Sequence, residues 1–166
     1  MSKRFSHQVI TAVSFGLTTA VITSLGMIVG IQSATSSKLA VVAGLVVMAF
    51  TDGLSDAVSL HTAEEAEVQR GRGKHTSLEI WLTTILTFFS VSGFTLTFTF
   101  PILLLSSEDA LWVTIAWGML LLILLNSYIA KIRKEHPIRL VSEHISLAVL
   151  VIIVSHLVGS FVATVL

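Results

Sequence analysis

Polar positions in this chain are gathered into short clusters, and between them lie five long, largely apolar runs at approximately residues 7–31, 38–62, 78–105, 110–130 and 141–165. A bilayer core about 30 Å thick requires roughly 20 residues of α-helix. Every run meets that length. Ser36-Ser37 separates the first pair, Gly71-Arg72-Gly73-Lys74 the second and Lys131 to Pro137 the last. Ser106-Ser107-Glu108-Asp109 follows the third run and offers an N-cap to the fourth helix. The pattern predicts an all-α integral membrane protein of five transmembrane helices, one domain over residues 1–166, with no loop large enough for a second. Lys3 and Arg4 precede the first run as they would in a signal peptide. That run is about 25 residues long and ends without a small-residue cleavage motif, so it reads as a retained helix.

Charge gives the helices a direction. Lys3, Arg4, Arg70, Arg72, Lys74, Lys131, Arg133, Lys134 and Arg139 all fall on one side of a five-span arrangement, and only Lys38 falls on the other. The positive-inside rule then predicts a cytoplasmic N-terminus and an external C-terminus. A multi-pass protein follows, in the plasma membrane if the source is a prokaryote. Composition agrees: 54% of residues are apolar and 12% charged, against about 25% charged in soluble domains. Mean hydropathy is +0.90. The zero formal net charge gives no reason to expect a nucleic-acid partner, and the lack of cysteine excludes disulfides and thiolate metal sites.

The second run carries the chemistry. Asp52 lies about 14 residues in from Lys38, or roughly 20 Å along a helix, at or slightly past the midplane. A carboxylate at the centre of a span costs about 2.5–3.5 kcal/mol even on the lenient insertion scale. Asp56 is one turn further on the same face, and Met48, Ser55 and Ser59 are predicted near that stripe, turned to the bundle interior. Thioether, carboxylates and hydroxyls suit a divalent cation, with the sulfur favouring Fe²⁺ over Mg²⁺. The two acids alternatively share a proton or serve only as interhelical hydrogen-bonding groups.

Beyond them, His61, Glu64, Glu65 and Glu67 form H-x-x-E-E-x-E at the cytoplasmic end, with His75 and Glu79 within reach after a short turn. This is either an entry site for Fe²⁺, Mn²⁺ or Zn²⁺ or an acidic face paired with Arg70, Arg72 and Lys74. No H-E-x-x-H pattern and no nucleophile–base pair stands out, so no enzyme is predicted.

Thr19, Thr23, Gly26 and Gly30 give the first helix a small-residue face with a GxxxG step, for packing within the bundle or for a dimer seam. Asn126 and His156 read as interhelical hydrogen-bonding residues. Glu143 and His144 open the fifth helix, either beside the entry site or simply at the interface. Trp81 and Trp112 read as interfacial anchors, and Pro101 is expected to kink or end the third helix. Gly16-Leu17-Thr18-Thr19-Ala20-Val21 echoes Gly53-Leu54-Ser55-Asp56-Ala57-Val58 at similar depth in helices of opposite direction, as inverted repeats do around transporter sites.

Ser14-Phe15-Gly16-Leu17-Thr18 through Gly26 resembles the first helix of the vacuolar iron transporter family, which reads S-D-G-L-T with a glycine about two turns later. Ala43-Gly44-Leu45 in the second helix and the acidic stretch Glu64-Glu65-Ala66-Glu67 resemble the family too, as does the five-helix plan. The resemblance is carried by residues 10–68. It implies a homodimer in the membrane lipid that exports Fe²⁺ or Mn²⁺ in exchange for protons, with no permanently bound cofactor. The chain resembles a short variant, since the family's cytoplasmic metal-binding domain is absent and the connection is only about 12 to 15 residues. Phe15 stands where the family has an aspartate, and the family's second-helix glutamate and methionine fall near Val47 and Ser55. Asp52, Asp56 and Met48 would replace these ligands. The alternative is a non-transporting scaffold or metal sensor descended from such a transporter.

Overall fold

The computed structural model describes the backbone of residues 3–69 and 76–165, and the side chains of residues 8–68 and 76–165. Arg70, Arg72, Lys74 and His75, and the side chains of Lys3 and Arg4, lie outside the described residues. The elements are α1 (Lys3–Thr35), α2 (Lys38–Gln69), α3 (Ser77–Thr97), α4 (Thr99–Leu104), α5 (Ser107–Arg133) and α6 (Pro137–Val165). No strand occurs among the described residues. Five segments are long and apolar enough to cross a membrane, with α3 and α4 together making the third.

The break between α3 and α4 has a local cause. Pro101 lacks an N–H, so the carbonyl of Thr97 loses the donor that a continuous helix would supply. The helix is interrupted at Phe98, three residues upstream of the proline. Thr97 is held there by its side chain, which donates to Phe94 O at 2.6 Å and accepts from Trp117 Nε1 at 3.0 Å. The ammonium of the half-buried Lys38 donates to Leu105 O at the end of α4. Ser106 caps α5 as expected, accepting from Asp109 N at 3.3 Å. Between α1 and α2 the chain turns in two residues, with Ser36 at φ 52°. The N–H of Ser36 returns to Gln32 O, and Thr35 Oγ1 accepts from Ser37 N at 3.2 Å.

α1 is the central helix. Half of its most apolar stretch (50%) is buried, against 11% for α6, and it packs on α2, α3, α5 and α6. Leu17, Val21, Leu25 and Ile28 of α1 form the core with Val41 and Leu45 of α2, Phe98, and Leu121, Leu122 and Leu125 of α5. The outward faces are equally apolar, as Leu54, Phe89, Leu124 and Leu157 illustrate. Aqueous burial does not decide which face turns inward in such a bundle; close packing does.

Three glycines mark where backbones approach. A Cβ on Gly16 of α1 would lie 2.5 Å from Ser90 Cβ, and one on Gly53 of α2 would run into Ser92 Oγ and come within 3.2 Å of Phe88. The glycines of the two echoed hexapeptides therefore both seat against α3 at the same level. On the other side of α1, a Cβ on Gly159 of α6 would strike Gly30 O.

Candidate functional site

α2 continues to Gln69, seven residues past the end of its apolar run. Ala63-Glu64-Glu65-Ala66-Glu67 consists of strong helix formers, so the acidic cluster rides on the same rigid helix as Asp52 and Asp56.

Side chains advance about 100° per residue around a helix, and this sorts the candidate ligands. Val41, Leu45, Ala49, Gly53 and Ala57 are buried against α1 and α3. Met48, Asp52 and Asp56 form the adjacent row, and all three are half-buried. The row continues from Gly44, which faces Met27 and Ile31 of α1. Ser55 and Ser59 depart from the predicted interior stripe. They sit a further 100° or so round from the aspartates, exposed on the side of Leu54 and Val58. The ladder therefore reduces to a thioether and two carboxylates at the edge of the buried face.

Asp56 is the most constrained of these. Its Oδ2 is buried and meets no hydrogen-bonding group of the described residues. A carboxylate oxygen in that setting requires a proton, a cation or ordered water, because burying it bare costs several kcal/mol. Asp52, one turn away, adds negative charge and strengthens the demand.

At the α2–α3 end of the bundle the geometry assigns the tautomer of His61. Thr84 Oγ1 donates its single proton to Ile80 O at 2.8 Å. While that bond is made it accepts from His61, whose Nδ1 lies 2.8 Å away. Nδ1 carries the hydrogen, and in the neutral ring Nε2 is left with a lone pair, 3.4 Å from Glu65 Oε1. Two acceptors facing each other repel. A proton on Nε2, or a cation bound by both atoms, removes the repulsion. Trp81 lies across the imidazole at a centroid distance of 4.6 Å, which fixes the ring and adds a contact to the expected interfacial role. Thr84→Val deletes the acceptor. The Nδ1–H fraction, read from histidine ¹⁵N chemical shifts, is expected to fall about five-fold relative to Nε2–H, the worth of one hydrogen bond of about 1 kcal/mol.

The remaining acidic candidates divide. Glu64 is half-buried, while Glu65 and Glu67 are exposed; Glu67 points away because two residues turn a helix by about 200°. Glu79 closes a capping box at the start of α3, its Oε2 accepting from Thr76 N at 2.9 Å, a structural duty the ligand reading did not foresee. His75 lies outside the described residues. Among the described residues no three His, Asp or Glu side chains converge on a point where one chain would hold a metal ion.

Elsewhere, Thr19 lines a cleft between α1, α5 and α6, and Thr23 donates to Thr19 O at 2.9 Å. Gly26 and Gly30 face Val151 and Ser155 of α6, so the GxxxG step packs within the protomer. Asn126 is buried and donates to Leu122 O at 2.8 Å. His156 bridges to Ser33 Oγ at 2.8 Å, the interhelical bond expected of it. Two features escaped sequence reasoning. One is Thr84, whose link to His61 depends on the register of two antiparallel helices. The other is a seam of buried threonines on α3, Thr83, Thr87 and Thr95, whose four-residue spacing was a visible signal. No protein-family model matches this chain, and no curated protein sequence or solved structure does either.

Proposed function

We propose that this chain transports a divalent metal ion, Fe²⁺ or Mn²⁺, out of the cytoplasm in exchange for protons, as a homodimer with its N-terminus inside and its C-terminus outside. The observation that carries the reading is the pair Asp52 and Asp56, half-buried within a long apolar helix, with Asp56 Oδ2 buried and without a donor among the described residues. Two carboxylates neutralise a divalent charge, and Met48 on the same row supplies a soft ligand. Water or the second protomer completes the shell, and a proton taken by one aspartate as the ion leaves provides the exchange. His61 and Glu65 collect the ion at the cytoplasmic mouth, with Glu64, Glu67 and Glu79 keeping that surface negative. The test is Mn²⁺ flux in proteoliposomes under an imposed pH gradient: uptake or release that follows the gradient is expected, and flux equal to protein-free vesicles would exclude transport.

A second reading is a membrane scaffold or metal sensor. It is favoured by Phe15 at the position of the resembling family's aspartate and by the lack of a three-ligand group within the described chain. Heating in detergent separates a scaffold from a transporter, because a scaffold gains no stability from Mn²⁺ or Fe²⁺; a sensor shares that stabilisation and is told from a transporter by the flux measurement.

A further inference from the structure

The cleft that Phe15 faces is not built for a cation. It opens between α1, α5 and α6 at the end of the bundle where α5 meets α6, with a volume of about 370 Å³, within the range of small-molecule sites. Its two titratable lining groups are Arg133, on the last turn of α5, and His144, on the second turn of α6. Asn126 lies at its floor, 1% exposed. Thr18 and Thr19 contribute hydroxyls, and Phe15 and Leu140 contribute apolar wall.

We infer that this cleft binds the phosphate-bearing headgroup of an anionic phospholipid, with the apolar wall against the start of an acyl chain. Depth is the first argument. Asn126 lies seven residues before Arg133, so the cleft reaches roughly 10 Å below the helix end, spanning the headgroup and upper acyl region. Charge is the second. The Nε–H of Arg133 is taken by Glu135 at 3.2 Å in a surface pair, which is weak because both partners are exposed, and its terminal amino groups remain for a phosphate. His144 donates from Nδ1 to Leu140 O at 3.0 Å, leaving Nε2, a donor when protonated, as its ligand atom. Lys134 and Arg139 lie exposed on the adjoining turn, and basic pockets between spans recruit anionic headgroups. A soluble phosphate would have no use for the apolar wall. The inference does not depend on transport or on which leaflet is cytoplasmic.

The purified full chain in detergent tests it by native mass spectrometry against phosphatidylglycerol, phosphatidylcholine and inorganic phosphate. Retention of phosphatidylglycerol over phosphatidylcholine is expected, with no adduct from inorganic phosphate. Arg133→Gln should weaken that retention about five-fold or more, the worth of one basic contact at a membrane surface. Phe15→Trp, which fills the cleft without changing charge, should also lose it, while Lys131→Gln, outside the cleft, should keep it. Equal retention of the two lipids, an equal loss in Lys131→Gln, or full retention in a folded Phe15→Trp variant would overturn the inference. Binding of inorganic phosphate alone would overturn the lipid assignment.

Discussion

Asp56→Asn in proteoliposomes is expected to carry Mn²⁺ on the order of 10–100-fold more slowly than the parent, because it removes a charged ligand while keeping its shape. Outer groups that merely orient a ligand are already worth that much, and the loss of a carboxylate lowers the charge count that sets divalent affinity. Stability should move the other way. An ionised aspartate in a span is expensive, and Asp56 Oδ2 has no hydrogen-bond partner among the described residues to lose, so Asn at this position should raise the melting temperature or leave it unchanged. Asp52→Asn should act in the same direction. Lost flux with retained or increased stability marks a residue kept for function. Unchanged flux, or a clear fall in melting temperature, would instead make the aspartates interhelical glue.

Gly159→Ala is expected to destabilise the bundle by about 1–3 kcal/mol, towards the upper end, since overpacking at a backbone contact cannot relax by a rotamer change. The added methyl would run into the carbonyl of Gly30 and lie 3.0 Å from Ser33 Cβ. Relief requires α6 to move away from α1, opening the contacts of Gly26 with Val151 and the His156–Ser33 hydrogen bond. Gly30→Ala makes the informative contrast. Its nearest neighbour would be Ser155 O at 3.6 Å, an ordinary contact, so its melting temperature should stay close to the parent's. Gly93→Ala, with nothing within 4 Å of the new methyl, should be neutral or slightly stabilising, as alanine is the better helix former. Thermal unfolding in one detergent, monitored by circular dichroism, ranks the three. Equal effects at Gly159 and Gly30 would contradict the α1–α6 packing.

What could be read in advance follows from the solvent. The five long apolar helices were legible because a bilayer would impose a length that hydropathy reports directly, and the cap at Ser106 because it is a local signal. Inward and outward faces were not. Ser55 was placed with the aspartates because it lies three residues after Asp52, near the same helical stripe, but in lipid the outer face beside Leu54 and Val58 is as apolar as the core beside Leu45, so no hydrophobic contrast warned that Ser55 lies outside. The apolar run of α2 stops short of the helix end for a related reason: hydropathy falls at the acidic cluster, whereas helix propensity does not. Pro101 was recognised as a breaker, but its effect falls at Phe98, because the lost hydrogen bond belongs to a carbonyl one turn back. Gly30 drew attention through GxxxG, while the glycine that cannot be replaced, Gly159, sits on a partner helix whose identity no local pattern discloses.

Asp52 and Asp56 are the centre of the functional reading, and anomalous scattering from crystals soaked in Mn²⁺ tests them most directly. An anomalous peak between the two carboxylates, within about 2.5 Å of an oxygen of each as hard-cation coordination requires, is the predicted result. A peak confined to His61 and Glu65, with none on the aspartates at saturating Mn²⁺, would contradict it.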